Sequence, residues 1–573
     1  MYFINMLQYE LNKKNYLRIT LLVGVILILI KFVLLQHIPM SGLIADDYDY
    51  VNKARFFSRG DFLMKSYPLV NIKTSPIYPL FLSPWTLVDG FTARHQVLFS
   101  INFMFSLLGF VFSSLAIAKM TNRRMLLVPF VLSLFAIPFI FSFYFMTENL
   151  LFFLLAVIFW LMADFELTLR SKKHFSAFVV VLTFITTTRI PAFSILPAIL
   201  LICLFYFRYI PWKQLTAKML ILTGMPLLFY FLIHKVLLPG SRNQMYFDAI
   251  KQIFHHDEGY SLLTNLGTIV SLFVNQLTYQ ITASGFWMFP LALFSIWLLI
   301  KRDHLQNPKW RNILIFTFVS VLFFTGFCII HLLYKFNLDP EKRWFIYGRY
   351  NDPATYLWVL LGISLLFGFI TDPIKEKNAW FLIAIFILVS LLWLISNHWH
   401  IKYVPVNQSG LSLFKPGKKI PFFIQIFLLA GVLATIFTVY RPQLWKWTLV
   451  TYYILFQLAT LISGMDYVIS RSKKAMFPQE VNAYIEREVP TNATILCNKN
   501  ISLESAPSSA KSMRHVYRVL FFAAHPRTVI IEPFTDAALH HADYIFSLKL
   551  PENSASYREV WSKGPYALYK VRQ

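Results

Sequence analysis

Apolar stretches of about 20 residues recur along this chain from near its start to about residue 465, and no other feature constrains its folding as strongly. A helix rises 1.5 Å per residue, so about 20 apolar residues match a hydrocarbon core about 30 Å thick. Such runs lie near 17–36, 98–118, 125–145, 149–165, 174–188, 191–207, 218–238, 279–300, 312–334, 353–371, 379–396, 421–440 and 446–465. They predict a polytopic α-helical membrane protein of about thirteen spans. Composition agrees: 57% of the residues are hydrophobic and only 14% charged, more apolar surface than a water-soluble core buries. The aromatic share of 18% fits lipid-facing packing and rings anchored at the headgroup level.

The formal net charge of +25 does not mark a nucleic-acid binder, because Lys and Arg form short clusters between apolar runs and not one basic face. With the first residues in the cytoplasm, Arg123 and Arg124, Arg170 to Lys173, Arg208 to Lys218, Lys301 to Arg311, and Lys375 with Lys377 all fall inside. That orientation obeys the positive-inside rule; its inverse breaks it repeatedly. Lys415, Lys418 and Lys419 fall outside, which leaves ordinary loop chemistry, a hidden half-span or an anionic ligand open. The first run, 17–36, follows Lys13, Lys14 and Arg18 with no small-residue cleavage site after it, and reads as a retained span. Three scattered cysteines indicate neither a disulfide framework nor zinc. The pairs His255/His256 and His398/His400 lack third and fourth ligands and read as loop residues.

Composition changes after about residue 470, dividing the chain into a multi-span domain, 1–470, and a soluble tail, 471–573. In the tail, "EVNAYIEREVP" has helical spacing, while "ATILCN", "TVIIEP", "ADYIFSL" and "YALYKV" read as strands. A small C-terminal α/β domain follows, on the extracytoplasmic side by the odd span count.

The first external loop, 38–97, is longer than a connector needs and opens with "GLIADDYDYVNKARFFSRGDF". Asp46, Asp47 and Asp49 cluster there; on a helix Asp46, Tyr50 and Lys53 share one face. A carboxylate near low-dielectric surroundings holds its proton more readily and suits general-base work. The plainer reading is a helix capped by Asp46 or Asp47, with Asp49 and Lys53 as an i,i+4 pair. Glu148, opening an apolar run behind Thr147, reads equally as a capped helix start.

The acidic pair in a long first loop, then "SPIYPL", "YFMTENLLFFLLAVIFW", "TTTRIPAFSILPAIL" and "RWFIYGRYNDPATYLWVL", resembles the GT-C superfamily of polyprenyl-phosphate-sugar glycosyltransferases. The resemblance is to the bacterial branch of aminoarabinose transferases and protein O-mannosyltransferase-like enzymes, and covers nearly the whole chain in layout. It implies a GT-C-like fold and a multi-pass protein of the bacterial inner membrane that moves a sugar from a polyprenyl-phosphate donor to a lipid, glycan or protein acceptor at the outer face. Its implied catalytic pair is Asp46 and Asp47, the latter standing where many relatives have Glu. Asp46 would deprotonate the acceptor, and Asp47, Glu148 and Asp49 would serve the acceptor or metal pocket. Donor phosphate would meet Arg189, Arg349, Tyr350, Lys53 and Arg343, since guanidinium forks match phosphate oxygens. Some relatives place a divalent cation at the acidic pair; no other cofactor is implied. A transporter or flippase for lipid-linked glycans is the alternative, whose signature would be ionisable groups inside spans, which are scarce here.

Overall fold

The structure, a computed structural model, describes residues 10–38, 47–58, 75–233, 262–284, 307–336, 348–368, 445–474, 479–498, 520, 522–532, 540–548, 556–563 and 566–572. Asp46, Arg343, the lysines at 301, 375, 377, 415, 418 and 419, Arg302, the paired histidines and the runs near 379–396 and 421–440 lie outside these residues, as does most of the run near 279–300. Two compact units are present: Met1–Leu35, Asn102–Phe143 and Thr147–Val468 form one, and Gln36–Ile101, Tyr144–Met146 and Ile469–Gln573 the other. The first external loop is thus grouped with the C-terminal tail.

The described residues of the first unit are mainly helical. Five described helices are long and apolar enough to cross a membrane: Lys13–Leu35, Phe91–Thr121, Trp212–Phe231, Pro308–Leu333 and Val450–Ser470. The Glu148–Met162 helix, ENLLFFLLAVIFWLM, is buried on nearly every side, as a helix apolar all round must be when it occupies the middle of a bundle. The Lys172–Thr188 helix packs against it and against Trp212–Phe231. Pro308–Phe336 lies against both Gly348–Gly368 and Ile195–Phe205. Asn122, at φ 53°, takes the left-handed turn that ends the Phe91–Thr121 helix.

The run at 125–145 does not form one span. It is broken into helices Leu127–Ser133 and Ala136–Phe141, with Phe135 extended between them. Pro138 is the cause: its ring collides with the carbonyl four residues back, that of Leu134, and the helix restarts beyond the collision. The restart exposes an orphan N–H at Ala136, which donates to Gln457 Oε1 at 3.1 Å; Gln457 is itself fully buried. A Gln457→Leu substitution strands that donor and should cost about 1–3 kcal/mol. A thermal midpoint equal to that of the native protein would rule this cap out.

Lys31 is one of the scarce ionisable groups inside a span. It sits 2% exposed in the Lys13–Leu35 helix, donating to Ser106 Oγ at 2.5 Å, with its ammonium 4.8 Å from the Phe139 ring centroid and 5.5 Å from that of Phe103. Ring faces and a hydroxyl there replace water around the cation.

In the second unit the tail carries a five-stranded sheet of β1 (Thr494–Asn498), β2 (Thr528–Glu532), β3 (Tyr544–Leu548), β4 (Tyr557–Lys563) and β5 (Tyr566–Val571), in the order β2-β1-β3-β5-β4. β1 runs parallel to β2 and β3, and β5 antiparallel to β3 and β4. The helix Gln479–Glu488 precedes β1, where helical spacing was read. β4 was missed because its register shifts between Glu559 and Trp561, and an extra residue there breaks the period-two alternation that marks a strand. Cys497 is buried in β1, and burial pushes its thiol up to about 12. A thiol raised that far stays protonated at pH 8, so a maleimide should label Cys497 only after unfolding; labelling of the folded protein at this position would contradict the placement.

Arg94 holds loop and tail together within this unit. Its guanidinium donates to the carbonyls of Val88 at 3.0 Å, Phe522 and Ala523 at 3.3 Å, and His525 at 2.7 Å. Arg55 reaches the Arg527 carbonyl at 2.7 Å. Trp85, fully buried, donates to the Val51 carbonyl at 3.1 Å and lies 4.8 Å from the Phe522 ring.

Candidate functional site

Two groups of sequence-predicted residues emerge, one in each unit. The second unit holds the helix Asp47–Ser58, in which every residue from Asp47 to Phe57 is buried, including Asp49, Lys53 and Arg55. Asp49 and Lys53, read as an i,i+4 pair, are both at most 1% exposed, so any pairing between them is buried. Charged groups at that depth are held by partners or they do not stay charged. On the same helix Tyr48 lies 2.8 Å from His95 Nε2, and His95 Nδ1 lies 2.9 Å from the Phe91 carbonyl. The carbonyl only accepts, so Nδ1 carries the proton and Tyr48 donates to Nε2. Burial, with the Asp47 charge second, pushes the Tyr48 hydroxyl well above its ordinary pKa and keeps it a donor. Among the described residues no three His, Cys, Asp or Glu side chains gather as a metal-ligand set; Asp46, the partner of Asp47 in the acidic pair where a divalent cation was expected, lies outside those residues.

The first unit brings Glu148, Arg189, Arg349 and Tyr350 together. Glu148 is the first residue of its helix and is fully buried. Thr147 does not cap that helix as the sequence suggested: its own backbone is helical, and its hydroxyl instead donates to Glu148 Oε2 at 3.2 Å. The other carboxylate oxygen, Oε1, accepts from Arg189 Nη1 and from Arg349 Nε.

Local sequence explains each position. Arg189 is extended, at φ −158° and ψ 136°, between the Lys172–Thr188 helix and the 3-10 turn Ile190–Ser194. Pro191 forces the gap, because its ring collides with the Thr187 carbonyl. Thr186, Thr187 and Thr188 fit an apolar helix end because each hydroxyl donates to the carbonyl four residues back, at 2.8, 2.6 and 2.7 Å. Arg349 is the second residue of the Gly348–Gly368 helix. Tyr350 faces Arg189, whose guanidinium carbon lies 4.3 Å from the ring centroid, and its ring also stacks with His331 at 4.4 Å. Ring and carboxylate fix the guanidinium plane together.

Two guanidinium groups converge on one carboxylate oxygen beside the N-terminus of the Glu148 helix, which adds partial positive charge, and the buried Asp352 follows Arg349 by three residues on the same helix. Guanidinium forks held in a fixed plane are the groups that recognise phosphate oxygens bidentately. Sequence reasoning missed the polar network beside this cluster. Asn351 donates to Gln276 Oε1 at 2.8 Å and accepts from Gln280 at 2.9 Å. Tyr279 donates to Asp352 at 2.5 Å, Gln280 to Thr325 at 2.7 Å, and Trp358 to Gln280 at 3.2 Å. Gln276 and Gln280, four apart in an apolar helix, share a face and were a readable sign of it.

No protein-family model and no curated protein matches this sequence. Among solved structures the chain is similar to ArnT from Cupriavidus metallidurans bound to undecaprenyl phosphate, with 11% identity and a TM-score of 0.51 over 96% of this chain and 97% of that one. The apo state of that protein gives 11% and 0.45 over 95% and 97%. An Archaeoglobus fulgidus oligosaccharyltransferase tethered with an acceptor peptide containing the NVT sequon gives 12% and 0.42 over 93% and 68%. Identities this low speak for fold and not for chemistry, and the first of these likenesses carries the comparison. Over nearly its whole length, this chain shares the fold of ArnT from Cupriavidus metallidurans.

Proposed function

We propose that this protein is a glycosyltransferase that moves a sugar from a polyprenyl-phosphate carrier to a lipid, glycan or protein acceptor at the outer face of a bacterial inner membrane. The observation that carries the proposal is the buried cluster in which one carboxylate, Glu148, orients the two guanidinium forks of Arg189 and Arg349, in a fold whose neighbour was solved with undecaprenyl phosphate bound. The basic connectors support an N-terminus in the cytoplasm, and the hydrogen bonds from Arg55 and Arg94 to the tail backbone support a tail on the same, extracytoplasmic side as the first external loop.

In the reaction, an acceptor hydroxyl or amine attacks the anomeric carbon with inversion and gives up its proton to a carboxylate, the role proposed for Asp46. The bond from that carbon to the phosphate oxygen breaks, and its electron pair leaves with the lipid phosphate. Negative charge grows on phosphate as this happens, so donors aimed at it bind the transition state better than the ground state. Arg189 and Arg349 supply those donors, and Glu148 with Tyr350 holds them in orientation. Asp47, Asp49, Lys53 and Arg343 belong to the proposal as acceptor-side and donor-side residues.

A matched pair of short-chain polyprenyl phosphate and polyprenyl alcohol tests donor recognition. The phosphate should bind the native protein at least about tenfold more tightly, and Arg189→Ala or Arg349→Ala should erase the difference. Equal binding of phosphate and alcohol by the native protein would sink the proposal. Lys31, an ionisable group inside a span, is the observation that favours a flippase for lipid-linked glycans instead.

A further inference from the structure

The Glu148–Met162 helix has a second polar end. About 20 Å from Glu148 by helical rise, a cavity of about 320 Å³ is lined by Asp164, Glu166, Arg170, Tyr206, Lys309 and Asn312. Its floor is buried: Tyr206 and Asn312 are each 1% exposed, and Asn312 Nδ2 donates to the Tyr206 hydroxyl at 2.7 Å. Asn312 Oδ1 is buried and has no hydrogen-bond partner among the described residues. A buried amide oxygen left unmatched costs about 1–3 kcal/mol, and a ligand N–H would satisfy it.

Charges of both signs surround this floor. Asp164 pairs with Lys119 at 3.0 Å and Lys309 at 3.6 Å, and Glu166 with Arg170 at 2.8 Å. A purely anionic ligand would meet two carboxylates at the cavity wall, and a purely cationic one two cations. A zwitterion matches both. Exposed aromatic residues mark this end of the helices: Tyr206 belongs to the turn between the Ile195–Phe205 and Trp212–Phe231 helices, where Tyr209 and Trp212 are 64% and 56% exposed, as aromatic residues at lipid-headgroup level are. Leu167, also on the wall, is 48% exposed and offers an apolar rim.

We infer that this cavity seats the phosphoethanolamine headgroup of a zwitterionic phospholipid, in the leaflet opposite the end of the helix that carries Glu148. The lipid phosphate meets Lys309 and Arg170; the ammonium meets Asp164 and Glu166 and donates to Asn312 Oδ1. Phosphatidylcholine has the same charges but no N–H, so it cannot satisfy that oxygen. The inference does not depend on the transfer reaction.

Native mass spectrometry of the full chain with phosphatidylethanolamine, phosphatidylcholine and phosphatidylglycerol of matched acyl chains tests it. Phosphatidylethanolamine should be retained about tenfold more than either of the others, the scale of one charge-assisted hydrogen bond. Asn312→Leu should remove the preference over phosphatidylcholine. Lys309→Glu, at a partly exposed position where folding is not at stake, should lower phosphatidylethanolamine retention about fivefold or more. Equal retention of phosphatidylethanolamine and phosphatidylcholine, a preference for phosphatidylglycerol, or retention unchanged by Lys309→Glu would overturn the site.

Discussion

Glu148→Gln is expected to destabilise the protein by about 3–5 kcal/mol, because it leaves two buried guanidinium groups without their shared counter-ion. The carboxylate is fully buried, and the side chains of Arg189 and Arg349 are 10% and 5% exposed, so water does not replace it. Glu148→Asp should lose less, since it keeps the charge one methylene short. Pairing with Arg349→Met should recover part of the loss, because the double variant removes a positive charge along with the negative one. Thermal unfolding of the detergent-solubilised variants reads all three. A midpoint for Glu148→Gln that matches the native protein would mean that the carboxylate does not hold the arginines.

Arg349→Lys is expected to reduce transfer about 100-fold while disturbing the fold less than Arg349→Ala. Lysine keeps the charge but replaces a planar fork with a single ammonium, so it can pair with Glu148 or reach a donor phosphate but cannot present both edges at once. The loss is of the size seen when one oriented donor to a developing anion is removed. It should fall on kcat more than on KM, because the charge grows as the sugar–phosphate bond breaks. A variant with native kcat and a raised KM would assign Arg349 to ground-state binding alone.

Much of this architecture was legible because lipid imposes a simple length and polarity rule. The helices Lys13–Leu35, Phe91–Thr121 and Glu148–Met162 lie on apolar runs, and four of the five strands lie on runs read as extended. What escaped depended on a local exception or on a distant partner. Pro138 splits a run that hydropathy alone reads as continuous, and the shifted register of β4 hides its alternation. Lys31 is hidden in its span because two rings and a hydroxyl far along the chain accommodate it.

The site divides in the same way. Glu148, Arg189 and Arg349 stood out as ionisable residues at the ends of apolar runs, but residues 41 and 201 apart in sequence give no sign that one carboxylate oxygen serves both arginines. Glu148 read alone suggested an acceptor pocket or a cap; beside its partners it acts on the cations. The buried amides of Gln276, Gln280 and Asn351 attract no notice singly, because their meaning lies in pairing with one another.

The most direct test of lipid-linked sugar transfer uses membranes containing the native chain, Asp46→Asn or Arg349→Ala, supplied with a panel of radiolabelled polyprenyl-phosphate sugars and membrane extract as acceptor. The expected result is that label from one donor passes to an acceptor fraction with the native chain and with neither variant, all three being present in the membrane in equal amount. Absence of transfer from every donor, with the labelled lipid crossing the bilayer chemically unchanged, would contradict the transferase and assign the cluster of Glu148, Arg189 and Arg349 to a carrier.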